Sequence, residues 1–263
     1  MFGDFLPHAV LFSLGPIGVR WYGVMLAAGA LAGYVLMRRL ARERGVNVAE
    51  LDSLIAALLV VGLLGARLFD VLVFESWYFL SQPWEIFVIW RGGLAFHGGL
   101  LAGVLFLVWW CRKRAYPVLT YVDLLAPGLA VGQAIGRWGN YFNQELFGKP
   151  TALPWGIPIH VNLRPEQYQD FTHFHPVFLY EFMALSLFAL VLWRLRKRLT
   201  GGKLFALYLV VSGTMRFALE FLRVDEQSSL LGARVGFWVA GITIAVGAAL
   251  FWYARRKIQN RPV

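Results

Sequence analysis

Seven stretches of about 20 residues each, at about 21–37, 51–74, 92–110, 117–137, 176–193, 204–222 and 236–254, are long and apolar enough to cross roughly 30 Å of hydrocarbon. Such stretches leave a chain few folds, because only a helix satisfies every backbone N–H and C=O within a single segment when water is absent. The composition agrees: of 263 residues, 59% are hydrophobic and only 15% charged, outside the range of ordinary soluble domains. The expected fold is an all-α membrane protein of seven transmembrane helices, one polytopic domain over residues 1–263. Residues 138–175 interrupt the pattern with Pro150, Pro154, Pro158 and Pro165, and they read as a small extracytoplasmic head. Alternation from Trp155 to Leu163 predicts a short strand there, confined to an edge by its proline.

The net charge of +10 would suggest nucleic acid in a soluble protein. Here the basic residues are grouped between spans, so no nucleic-acid partner is expected. Arg38, Arg39, Arg42 and Arg44 follow the first span; Arg112, Lys113 and Arg114 follow the third. Arg194, Arg196, Lys197, Arg198 and Lys203 separate the fifth and sixth, and Arg255, Arg256, Lys257 and Arg261 follow the last. All four groups fall on one side, which the positive-inside rule makes cytoplasmic. The N-terminus is then outside and the C-terminus inside. Residues 1–19 carry no basic n-region, so no cleavable signal peptide is expected. The single cysteine, Cys111, excludes an internal disulfide and any Cys/His metal spacing. Trp77, Trp84, Trp90, Trp109, Trp110 and Trp252, with Tyr78, lie near span ends as an aromatic belt.

The polar residues inside the spans collect toward the outer ends. Arg67 and Asp70 lie late in the second span, His97 early in the third, Arg137 at the exit of the fourth, Tyr180 and Glu181 at the start of the fifth, and Arg216 and Glu220 in the outer half of the sixth. At 1.5 Å per residue, Arg67 sits about 10 Å below its outer helix end, and His97 and Glu181 about 8 Å below theirs. A transporter should place polar groups near the midplane and show repeated halves; neither pattern is present. A basin open only to the outer leaflet suits work on a lipid headgroup. Gly128, Gly132 and Gly136 recur every four residues, as close helix packing requires, while Gly92, Gly93, Gly98, Gly99 and Gly103 around His97 either pack or leave room for substrate.

The run Gly136-Arg137-Trp138-Gly139-Asn140-Tyr141-Phe142-Asn143-Gln144-Glu145-Leu146-Phe147-Gly148 places charge where the fourth span leaves the lipid, and intramembrane charge usually faces a cavity, pairs, or does chemistry. Arginine binds phosphate through a planar fork and stays charged when desolvated, which makes Arg137 and Arg216 the candidate phosphate ligands. Arg216 and Glu220, at i and i+4, and Arg67 and Asp70, at i and i+3, are spaced to pair on one helix face. Asn140 and Asn143 either end the helix or hold headgroup hydroxyls, and Glu145 either orients an arginine or is solvated. Asp123 reads as structural, bonding backbone or a neighbouring helix. His173 and His175 have a spacing that can bind metal, but no third ligand accompanies them; His175 is expected to fix the turn before Pro176.

These residues resemble the prolipoprotein diacylglyceryl transferases of bacteria. Besides the Gly136–Gly148 run, the chain carries Trp21-Tyr22-Gly23, Arg91-Gly92-Gly93-Leu94-Ala95-Phe96-His97-Gly98-Gly99, Asp123-Leu124-Leu125-Ala126-Pro127, His175-Pro176 with Leu179-Tyr180-Glu181, and Arg216-Phe217 with Glu220 and Arg223. The resemblance covers nearly the whole chain. It implies an enzyme of the bacterial inner membrane, its site toward the outer leaflet, that transfers the diacylglyceryl group of phosphatidylglycerol to the lipobox cysteine of a prolipoprotein signal peptide. Glycerol 1-phosphate is released. No cofactor and no metal are expected, and a monomer is expected. The same resemblance adds Tyr22 and Gly148 to a phosphatidylglycerol site of Arg137, Asn140, Asn143, Glu145, Arg216 and Glu220.

The nucleophile then comes from the substrate, and a thiol is only a few per cent thiolate at neutral pH, so a base or a positive field is needed. His97 is the one histidine inside a span and can accept that proton. Two departures from the family pattern stand out: Ser212 precedes Gly213 where tyrosine is common, and Arg223-Val224-Asp225 lacks a proline before its aspartate. The first leaves open a paralogous transferase with another acceptor. A non-catalytic lipid or anion carrier using the same arginines is the rival from a different class.

Overall fold

The computed structural model describes residues 5–15, 17–89, 92–224 and 229–259; Trp90, Arg91, Asp225 and Arg261 lie outside them. All seven expected spans fall on long helices: α1 (Trp21–Glu43), α2 (Val48–Phe69), α4 (Phe96–Lys113), α5 (Val118–Phe142), α6 (Val177–Leu195), α7 (Lys203–Glu220) and α8 (Val235–Gln259), with a short α3 (Ser76–Ser81) between α2 and α4. Among the described residues five helices are long and apolar enough to cross a membrane: Trp21–Glu43, Val48–Phe74, Val118–Phe142, Val177–Leu195 and Val235–Arg256. The 18-residue α4 and α7 fall outside those five. The expected third span begins late, at Phe96, because Gly92 and Gly93 adopt φ of 105° and 73°, a left-handed backbone that a helix cannot use. The fourth runs to Phe142, so the irregular segment begins after that residue and not at 138.

The chain divides into two compact units, Arg38–Tyr121 and the remainder, residues 1–37 with 122–263. In the first, α2 packs on α4 through small residues. A Cβ on Gly99 would lie 2.9 Å from the Gly62 carbonyl oxygen, and one on Gly98 would overlap Phe69 and the Gly65 carbonyl. Gly98 and Gly99 therefore serve close backbone approach. Asn47 caps α2 by accepting from the Ala49 N–H at 2.9 Å, and at the same end Arg38 pairs with Asp52 (3.3 Å) and Arg114 with Glu50 (3.3 Å).

In the second unit, Gly29 and Gly33 of α1 meet Gly132 and Gly128 of α5: a Cβ on either α1 glycine would fall 2.7 Å and 2.6 Å from the facing carbonyl oxygens. Gly128 and Gly132 are thus a packing seam, whereas a Cβ on Gly136, the third member of the repeat, would meet nothing within 4 Å. Asp123, fully buried, accepts from the N–H groups of Gly202 and Phe205, each at 2.9 Å. It caps α7 from a different helix and meets the positive end of its dipole. Between α5 and α6, β3 (Ile157–Pro158) pairs antiparallel with β4 (His173–Phe174). The expected strand is there but only two residues long. Its core is Phe147, Phe174, Phe178, Ile157 and Ile159 with Tyr141. Two further hairpins were not expected: β1 (Val10–Leu14) with β2 (Ile17–Arg20), and β5 (Ser229–Leu230) with β6 (Ala233–Arg234).

Candidate active site

In the unit containing α5–α8 the polar residues form a continuous circuit. The α5 helix turns Arg137 and, three residues on, Asn140 to one face. Arg137 Nε lies 2.5 Å from Glu181 Oε2 of α6. The Nε–H is not aimed along a hydrogen bond to any described residue, so the contact is a close ion pair. Arg137 Nη1 donates to Asn140 Oδ1 at 3.1 Å, Asn140 Nδ2 donates to Glu145 Oε2 at 3.0 Å, and Asn143 Nδ2 donates to Glu145 Oε1 at 3.2 Å. Glu145 thus orients both asparagines, not an arginine directly. Asn143 Oδ1 is buried and has no hydrogen-bond partner among the described residues, an acceptor free for a hydroxyl donor.

The turn after α5 makes this circuit possible. Gln144 and Leu146 hold φ of 55° and 57°, which costs non-glycine residues energy and persists only where neighbours enforce it. The Gln144 side chain supplies that enforcement, accepting from the His160 N–H at 2.7 Å and donating to the Pro7 carbonyl at 3.3 Å. The chain reverses so that the Glu145 N–H meets the Asn140 carbonyl at 2.9 Å, returning the carboxylate to the asparagine row. Gly148 closes the turn in a space that admits no side chain, since a Cβ would lie 2.9 Å from the Leu222 carbonyl oxygen and 3.0 Å from His175. Tyr22, half exposed, lies across Gly139 beside Asn140.

The expected Arg216–Glu220 pair does not form. The Glu220 carboxylate is buried and taken from the far side, by Arg223 Nη1 at 3.3 Å and by Arg234 Nε at 3.0 Å. Two partners from the chain beyond α7 outcompete a helical neighbour four residues away. Gly236 accommodates that carboxylate, since any Cβ there would overlap it. Arg216 is left exposed, with no hydrogen bond or ion pair to a described residue, while the charges acting on it are those of Glu181, Arg137, Arg223 and Glu220. It is a guanidinium held in a charged neighbourhood with its donors uncommitted. Glu181, Arg234, Gln133 and Tyr208 were not among the expected site residues. Tyr208 is buried, its hydroxyl within the influence of Gln133, one turn before Arg137, and of Arg137 itself. Ser212 turns its hydroxyl back to the Tyr208 carbonyl at 2.6 Å and so has no reach into the site.

In the unit containing α2–α4, His97 is the second residue of α4, exposed, with its ring edge-on to Phe96 at 5.9 Å. It has no hydrogen bond to a described residue. Arg67 and Asp70 do approach, at 3.6 Å, but the Arg67 guanidinium is otherwise committed to backbone carbonyls. His173 and His175 bond Thr172 and the Tyr180 hydroxyl, at 2.9 and 3.0 Å, and Trp155 donates to the same hydroxyl at 2.9 Å. His175 therefore fixes the start of α6 and, through it, Glu181.

A family model described as prolipoprotein diacylglyceryl transferase matches residues 9–253. A protein of Parasynechococcus marenigrum named phosphatidylglycerol–prolipoprotein diacylglyceryl transferase is 39% identical over 98% of this chain and 97% of its own length. Proteins of the same name from Gloeobacter violaceus and Synechococcus elongatus are each 40% identical, covering 95% and 94% of this chain and 94% and 87% of their own.

Proposed function

The chain belongs to the prolipoprotein diacylglyceryl transferase family, and from that premise we propose how its residues divide the reaction. It is a transferase, moving the diacylglyceryl group of phosphatidylglycerol to prolipoprotein. The acceptor is the lipobox cysteine of the signal peptide. Its sulfur attacks the diacylglyceryl carbon that carries the phosphate oxygen, that carbon–oxygen bond breaks, and glycerol 1-phosphate leaves with the bonding pair.

Charge grows on the departing phosphate, so guanidinium groups already in place stabilise the transition state more than the bound lipid. The observation that carries this reading is the row of Arg137, Asn140, Asn143 and Glu145 braced by Glu181, with Arg216 exposed and making no hydrogen bond or ion pair to a described residue. Arg137 presents the donors that Glu181 and Asn140 leave free, and Arg216 presents its whole fork. Asn143 Oδ1 and the Asn140–Glu145 row take the headgroup glycerol hydroxyls, with Tyr22 against the lipid. Glu220 fixes Arg223 and Arg234 around the cluster. His97 accepts the thiol proton; its exposed imidazole, free of other hydrogen bonds among the described residues, supports that role. No metal or cofactor enters these steps. The protein acts as a monomer spanning the bacterial inner membrane seven times, N-terminus outside, with segment 143–176 and the site toward the outer leaflet.

The test is incubation of the purified protein with phosphatidylglycerol and a lipobox peptide, read by mass spectrometry. The peptide gains one diacylglyceryl group, and a cysteine-to-serine peptide gains none. Movement of lipid across proteoliposomes without covalent product would replace this reading with a carrier.

A further inference from the structure

Arg67 has the residue type of a phosphate ligand and the surroundings of a fastener. It is buried, 8% exposed. Its Nε donates to the Ile86 carbonyl at 2.9 Å, its Nη1 to those of Gly92 and Gly93 at 3.0 and 2.9 Å, and its Nη2 to that of Glu85. Four of the five N–H groups of a guanidinium are thereby spent, its face lies over the Phe79 ring at 4.8 Å, and Asp70 flanks Nη1. No two-pronged edge remains for a phosphate.

Two of these carbonyls belong to the 3-10 turn Pro83–Phe87 that follows α3, and two to the glycine pair just before α4. Backbone acceptors there would be costly at the edge of hydrocarbon without internal partners; the Glu85 carbonyl also accepts from the Val88 N–H at 3.1 Å, and the one guanidinium serves those of Ile86, Gly92 and Gly93 as well. This stretch leads directly into α4. The Ala95 N–H bonds the Ala66 carbonyl at 3.1 Å, beside Arg67, and Gly98 seats against Phe69 and Gly65. His97 lies between these two tethers. Gly93 completes the device, because a Cβ there would overlap Arg67 Nη1 and lie 2.6 Å from Asp70 Oδ2.

We infer that Arg67 is a positioning residue for His97: by gathering the carbonyls of Glu85, Ile86, Gly92 and Gly93 it sets where α4 begins and where the imidazole points. This rests on the role proposed above for His97. Lysine cannot replace it, since an ammonium has three donors and no planar fork to serve carbonyls on two sides.

The experiment compares steady-state kinetics of Arg67→Lys, His97→Gln and the double variant with wild type, using phosphatidylglycerol and the lipobox peptide. Arg67→Lys is expected to lower kcat about 10²-fold, the scale of an ångström's misplacement, with KM for phosphatidylglycerol within about twofold. In the His97→Gln background it has little further effect, because the two substitutions remove one contribution. Gly93→Ala, which presses on the same guanidinium, gives the same pattern and replaces Arg67→Lys if that variant does not fold. An unchanged kcat overturns the inference, as does a raised KM with losses that multiply in the double variant, the signature of a lipid ligand. A wild-type protein without product, or a fully active His97→Gln, refutes the underlying assignment instead.

Discussion

Replacing Arg216 with alanine separates catalysis from folding. The side chain makes no hydrogen bond or ion pair with a described residue, and the charges acting on it comprise two carboxylates, Glu181 and Glu220, and two guanidinium groups, Arg137 and Arg223. Its removal therefore breaks no bond to a described residue, so the expected change in stability is at the low end for point substitutions, about 0.5 kcal/mol. In the proposed role, its loss takes a preplaced donor from the departing phosphate in the transition state. Such losses cost about 10²–10³ in kcat, or about 2.7–4 kcal/mol. Arg216→Lys keeps the charge without the fork and falls between. The assay pairs product formation, followed by mass spectrometry of the lipobox peptide, with thermal unfolding of the same detergent-solubilised sample. Activity of Arg216→Ala within about threefold of wild type refutes the reasoning, as does a loss that merely tracks a lowered Tm.

Three other substitutions sort the remaining roles. His97→Gln is expected to lower kcat about 10²-fold or more, as loss of a general base does, while phosphatidylglycerol binding measured by lipid titration is retained; joint loss of both would make the imidazole a lipid ligand. Glu220→Gln strips the shared anion from Arg223 and Arg234 and is expected to cost about 3–5 kcal/mol, the penalty for breaking a buried ion pair, visible as a lower Tm together with lost activity. Asp123→Ala removes the carboxylate that caps α7, so about 2–3 kcal/mol of stability is lost while kcat at low temperature is unchanged.

The long helices were legible because apolar length is a local property, and five of them are long and apolar enough to cross a membrane. So was the Gly128–Gly132 seam, whose four-residue repeat meets Gly29 and Gly33. Asp123 was readable as structural, although only the structure reveals that it caps a helix about 80 residues later in the chain. Pairing was harder to read. The i, i+4 spacing of Arg216 and Glu220 suggested a partnership that tertiary neighbours, Arg223 and Arg234, take instead. A sequence spacing describes which groups can meet, and burial decides which do. Arg67 and Arg137 look alike as intramembrane arginines, yet one is absorbed by carbonyls of the segment between α3 and α4, whose course the sequence does not disclose. The turn at Gln144 and Leu146 has no glycine at its left-handed positions, so the usual signal for such a turn was missing. Gln133 did carry a readable signal, four residues before Arg137 on the same face.

In the proposed site Arg137 and Arg216 together receive the phosphate of the lipid. A structure of this protein with phosphatidylglycerol bound tests it most directly. The account predicts phosphate oxygens about 3 Å from both guanidinium groups, with Arg137 still beside Glu181. A phosphate bound elsewhere, with Arg216 facing solvent or paired to a carboxylate, would contradict it.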